Sequence, residues 1–277
     1  MTPMRSYSLR AVALWLAGAL AALSLSVQAA EVPRAGPPAV PPDDATGDII
    51  SAYRAAMARY IGEQPGYVMP AYRAELDDAL ARQDMWRITA LTKQHVVDLP
   101  SLSVQANWER LVVYTGAPAS MAYVYADSLW TLGRKLEDSA RDTPDQAESL
   151  RAQAAQVRQT AVAHALYAVA VAEVESRRCR DAEALVFWED SVRRGQAALW
   201  DYARAMPEDQ QRALLRYAHD LDIRVAPMRG PDALLCGKGR LPAAGEEVFV
   251  PQSQADRGRA QTRKRLSTIL ATWVKPK

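Results

Sequence analysis

The sequence predicts an all-α protein: a single-domain bundle of roughly eight helices with one long loop tethered by a disulfide. Three observations predict it. Residues 161–172, Ala-Val-Ala-His-Ala-Leu-Tyr-Ala-Val-Ala-Val-Ala, carry no charge. Leu150, Ala154, Val157 and Ala161 lead into them at helical spacing, so a helix amphipathic at its start becomes apolar all round, as one entering a core does. Alanine and leucine are abundant, whereas Phe occurs only twice and Gly 13 times in 277 residues, a balance that favours helix over strand. Finally, Leu266, Ile269, Leu270, Trp273 and Val274 fall on one stripe of a terminal helix.

Taken in order, residues 1–29 read as a cleaved export signal. Arg5 and Arg10 precede an apolar stretch at 11–27, and Val27-Gln28-Ala29 is a small-x-small cleavage pattern. Residues 30–45 are rich in proline and read as a disordered leader. The helical domain is expected over 46–277.

Its first helix is expected at 46–61, with Ile49, Ile50, Tyr53, Met57, Tyr60 and Ile61 on one face. A second follows at 71–83. Asp84 caps a third at 85–97, which Leu99-Pro100 closes, and a fourth covers 101–114. The fifth spans 119–140. The central helix spans 143–179, with Thr143 as cap, Pro144 at the first position and Gln146 completing a capping box. One helix is expected at 181–205 and a shorter one at 207–220. The proline and glycine content of 225–251 makes it loop, with a short strand at 246–250. Residues 252–274 form the last helix.

Cys179 and Cys236 are the two cysteines. For an exported chain such a pair reads as a disulfide, here pinning the coreless loop to the end of the central helix. Neither the C-x-x-C spacing of redox pairs nor a set of further metal ligands accompanies them. Arg5 and Arg10 are the only charged residues of the signal at 1–29, so its removal takes the formal charge from +2 to neutral. A neutral exported chain is not expected to bind nucleic acid. The uncharged run of 161–172 is too short to span a bilayer, so an integral membrane protein is not expected either.

The histidines are His95, His164 and His219. His164, inside the uncharged run, reads as a hydrogen-bonded core residue. His95 sits near the end of its helix, where it complements the dipole. His219-Asp220-Leu221-Asp222 sets two acids beside an imidazole, a pattern of a metal half-site or of a solvated helix end, and the second is the expectation.

Glu175-Ser176, after an alanine-rich helix, resembles the first motif of lytic transglycosylases. That resemblance implies Glu175 as general acid on a glycan. The Gly-Leu-Met-Gln and Asn-Ala-Gly segments of that family are absent. Leu91-Thr92-Lys93-Gln94 is similar to the Leu-Thr-x-x-Gln motif of small periplasmic stress chaperones, with Gln one place early. Trp130-Thr131-Leu132-Gly133 resembles a tetratricopeptide start, but no second copy follows at the required interval.

Arg257, Arg259, Arg263, Lys264 and Arg265 accumulate on the last helix and form the candidate contact for an anionic envelope component or a partner protein. No cofactor, metal or catalytic site is expected. The sequence therefore predicts a periplasmic or secreted binding or accessory module. A glycan hydrolase acting through Glu175 is the alternative.

Overall fold

The computed structural model describes residues 36–42 and 44–275. The signal peptide expected at 1–29 lies outside the described residues. These form eleven α-helices and no strand. The helices are α1 (Gly47–Gly62), α2 (Arg73–Ala81), α3 (Met85–His95), α4 (Leu99–Tyr114), α5 (Ala119–Asp142) and α6 (Ala147–Glu175). They continue with α7 (Glu183–Gly195), α8 (Ala197–Ala205), α9 (Glu208–Val225), α10 (Ala233–Cys236) and α11 (Gln252–Val274). The all-α expectation is met. Among the described residues, no helix is long and apolar enough to cross a membrane.

Helix α6 is the axis. Every residue from Ala161 to Glu175 is buried, as an uncharged run dictates. α5 packs along α6 over the longest stretch, and α9, α11 and α8 complete its surround. The α5–α6 approach is close because Gly133 has no side chain. A Cβ there would sit 2.7 Å from Arg158 Cγ and 3.2 Å from the Ala154 carbonyl oxygen. On the far side of α4, a smaller core of Leu76, Ala79, Ile88, Leu91, Trp108, Val112 and Met121 holds α2 and α3. The terminal stripe packs as its spacing requires, with Leu266, Leu270, Trp273 and Val274 buried in the main core. Trp273 meets the ring of Trp200 at 4.7 Å between centroids.

Several boundaries differ from expectation for local reasons. Pro100 opens α4 instead of closing α3. Asp98 is the cap: its side chain accepts from Ser101 N, and the Ser101 hydroxyl answers the Asp98 backbone. A proline in the first turn gives up only an amide that the helix leaves unbonded. The capping box expected at Thr143 does not form. Residues Pro144–Gln146 are a 3-10 turn, and the Thr143 hydroxyl donates back to Ser139 O at 2.7 Å.

The helix expected over 181–205 is two, broken at Gln196 after Gly195. There Tyr123 Oη lies 3.1 Å from where a Gly195 Cβ would be, and it donates to Val192 O. Asp84 does cap α3, accepting from Arg87 N at 2.9 Å.

The strand expected at 246–250 reduces to one antiparallel bridge between Cys179 and Phe249. It is flanked by bonds from Arg180 N to Val248 O and from Val250 N to Arg178 O, each 2.8 Å. The expected disulfide joins Cys179 to Cys236, 57 residues apart. The loop at 225–251 thus touches the end of α6 through both bridge and disulfide, and it carries the short helix α10 and a 3-10 turn at Ala226–Met228.

A cross-link over a loop this long limits the unfolded chain, so the paired substitution Cys179→Ser with Cys236→Ser is expected to cost about 2–4 kcal/mol of stability. Denaturant titration of the oxidised protein and of the variant measures it. Coincident midpoints would remove the stabilising role.

Candidate functional site

A cavity of about 630 Å³ opens beside α6. Helix α6 contributes Thr160, Ala163 and His164, α4 contributes Arg110 and Tyr114, α5 Tyr125, α9 Tyr217, Asp220 and Arg224, and α1 Met57 and Tyr60. Its inner wall is formed by His164 and Tyr125, each 1% exposed. Pro37, from the segment expected to be a disordered leader, lies at the cavity, and Arg224 Nη1 reaches the Pro38 carbonyl oxygen at 3.5 Å.

The inner wall is a hydrogen-bonded chain. His164 Nδ1 donates to Thr160 O, one turn back, at 2.8 Å. A carbonyl can only accept, so the tautomer is fixed and Nε2 presents its lone pair. The hydroxyls of Tyr114 and Tyr217 both lie 3.5 Å from that nitrogen and hydrogen-bond to each other. The Tyr125 ring stands edge-on to the imidazole, 4.7 Å between centroids. Burial pushes His164 down to about 4, the nearby Arg110 charge acts in the same direction, and the Thr160 bond opposes them. Burial also pushes the Tyr217 phenol well above its ordinary value, with Tyr114 adding to it. Imidazole and phenol are therefore neutral at physiological pH.

Arg110 supplies the charge of this wall. Its guanidinium lies 5.8 Å from the Tyr114 ring centre. It has neither a carboxylate nor a hydrogen-bond partner among the described residues. Glu109, its neighbour in sequence, is on another face of α4 and accepts from Gln105 Nε2 at 3.0 Å.

The other sequence candidates lie elsewhere. Glu175 is buried away from the cavity. One of its oxygens takes Arg178 Nε at 2.6 Å; the other takes Arg259 Nη2 at 3.0 Å and faces Arg229 Nε at 3.4 Å. Arg229 also pairs with Asp222 and contacts the Tyr167 hydroxyl at 3.4 Å, while Arg263 Nε reaches Asp222 at 3.1 Å.

The five basic residues grouped by sequence thus divide. Arg259 and Arg263 turn inward to Glu175 and Asp222, and Arg257, Lys264 and Arg265 are exposed. The His219 pattern divides too: Asp220 faces solvent beside the His219 ring at 3.6 Å, and Asp222 is wholly buried in the arginine network. Among the described residues, no three or more His, Cys, Asp or Glu side chains converge to hold a metal. His95 stacks on Tyr72 at 4.0 Å.

His164 is buried and hydrogen-bonded, as its place in the apolar run implies, yet it also walls the cavity. Arg110, Tyr114, Tyr125 and Tyr217 are absent from the sequence-derived candidates. One signal was available, the i, i+4 spacing of Arg110 and Tyr114, which puts a cation and an aromatic ring on one helix face.

No family model, curated protein or solved structure matches this chain. Its own fold and site define the class: an all-α, disulfide-bridged protein with an aromatic-walled cavity and, in that wall, an arginine without a carboxylate partner among the described residues.

Proposed function

We propose that the protein is an exported binding module that holds a small molecule in the cavity between α4, α6 and α9. The observation that carries the reading is the convergence of His164, Tyr114, Tyr217 and Arg110, from three helices, on one cavity of about 630 Å³. That volume lies within the range of small-molecule sites, and such sites are apolar cavities with a few placed polar groups.

The protonation states favour binding over chemistry. A general base works best near the operating pH, and His164 at about 4 is too weak a base for that. Its Nδ1 proton is committed to Thr160, and Tyr217 is held neutral. The inner wall presents fixed hydrogen bonds and the Arg110 cation, and Arg224 and Asp220 also line the cavity. Export is supported by the leader pattern and by the disulfide, a bond that persists in oxidising compartments.

The alternative, a glycan hydrolase acting through Glu175, needs a carboxyl free to meet a substrate. Both oxygens of Glu175 are held by arginines at its buried position. An anionic-surface role for α11 is left with Arg257, Lys264 and Arg265, because its apolar stripe is spent on the core.

Ala163 lines the cavity, so Ala163→Trp fills it. Ligand-observed NMR with a fragment library is expected to yield binders of the wild type that the variant no longer takes up, with helical circular dichroism unchanged. Fragments that bind both proteins equally would place binding elsewhere and defeat the proposal.

A further inference from the structure

Resting on the reading of the cavity as a ligand site, we infer that its ligand is a small organic anion. Its oxyanion group is held by Arg110, and its flat, unsaturated body lies against the tyrosine rings.

The charge balance of the wall is the first argument. Arg110 and Arg224 both line the cavity, and neither has a carboxylate partner among the described residues. The acid on the wall, Asp220, is exposed and lies beside His219. Glu109 cannot neutralise Arg110, because it is bonded to Gln105 on another face of α4. Both arginines are half-buried, and an incoming anion supplies the counter-ion that partial burial makes worthwhile.

The second argument is that, among the described residues, no side chain hydrogen-bonds or ion-pairs with the guanidinium. Tyr114 and Tyr217 bond to each other and face His164 Nε2, so their hydroxyls are engaged and neutral. The five N–H donors of Arg110 remain for a planar, two-point grip on a carboxylate, phosphate or sulfonate. A cationic ligand would meet the charges of Arg110 and Arg224, with Asp220 alone to offset them in the described lining.

Shape supplies the third. Tyr60, Tyr114 and Tyr125 border the space around the guanidinium. Aromatic walls favour an offset or edge-on planar partner, and the volume suits a body of one or two rings.

Two fluorescent probes separate charge from shape. 8-Anilinonaphthalene-1-sulfonate carries the oxyanion; N-phenyl-1-naphthylamine has the same rings and no charge. The wild type is expected to bind the sulfonate one-to-one. Arg110→Gln should weaken that binding by at least about tenfold, the scale of one lost charge-assisted hydrogen bond. The neutral probe should bind both proteins alike, and Arg110→Lys should recover part of the loss. Thermal melting checks that each variant is folded.

If Arg110→Gln leaves sulfonate affinity within twofold while Ala163→Trp expels both probes, the anion inference fails and the cavity reading stands. It fails in the same way if Arg110→Gln weakens both probes equally. If neither probe saturates the wild type, or both bind the Ala163→Trp variant undiminished, the cavity reading fails with it.

Discussion

Glu175→Gln is expected to lower stability by about 3–5 kcal/mol, the cost typical of breaking a buried ion pair by removing one partner. Glu175 is the shared anion of three guanidiniums, from Arg178, Arg229 and Arg259. Gln offers one neutral oxygen where the carboxylate offers two charged ones, so three cations would be left crowded at a buried point. The crowding already acts on Arg259. Burial lowers its affinity for a proton, Glu175 works against that, and the charges of Arg178, Arg263 and Arg229 add to the lowering.

For a domain of this size, the midpoint of thermal unfolding should fall by roughly 10 °C. The result also separates the two roles weighed for Glu175. A catalytic acid replaced by its amide leaves stability unchanged or raised, whereas a structural anion replaced this way destabilises the fold. A melting point within about 2 °C of the wild type would remove the structural assignment, by the same scaling.

The network shows why part of this molecule was legible in sequence and part was not. α6 was readable because twelve uncharged residues in an otherwise charged chain have nowhere to go but a core. The terminal stripe of α11 was readable because 3.6-residue periodicity is a local property. The cysteine pair was readable from arithmetic and compartment.

Arg259 and Arg263 were not. On their own helix they look like the neighbouring Arg257, Lys264 and Arg265, and their acids sit 84 and 41 residues away in sequence. Only the docking of α11 against the end of α6 and against α9 sorts inward from outward. The cavity was hidden in the same way. Its polar groups are separated by 50 and 53 residues, and each helix alone shows an ordinary tyrosine. His164 was legible as buried but not as cavity-lining, because burial in a helix centre does not say what lies opposite. The break at Gln196 was hidden because its neighbour Gly195 packs against Tyr123 of α5, a tertiary cause.

Glu109→Gln is expected to change how stability depends on pH. Glu109 is fully buried in α4, with Gln105 on one oxygen and no cation paired with it among the described residues. Burial pushes its carboxyl up to about 8; the Gln105 and Ser128 side chains oppose this, and Asp127 adds to it. Between its ordinary 4.5 and about 8, the folded protein keeps a proton that the unfolded chain has released. Stability therefore falls as pH rises through that window, by about 1.4 kcal/mol per unit and on the order of 5 kcal/mol in all.

His164 works in the other direction. Its folded value near 4 lies below its ordinary 6.5, so the unfolded chain takes up a proton that the folded state refuses, and stability falls as pH drops through that range. From 4.5 to 6.5 the two slopes offset one another. Above 6.5 only Glu109 of the pair still titrates, and it costs about 2 kcal/mol by pH 8. Gln removes that loss and leaves the His164 slope exposed, so the variant should gain stability relative to the wild type at every step from pH 5 to 8. Asp127 and Asp232, whose carboxyls burial also raises, remain in both proteins and largely cancel in the comparison. Urea titrations of the two proteins at pH 5, 6.5 and 8 measure the difference. Parallel curves would mean that Glu109 is ionised and solvated in the fold, and the buried-acid account of α4 would be wrong.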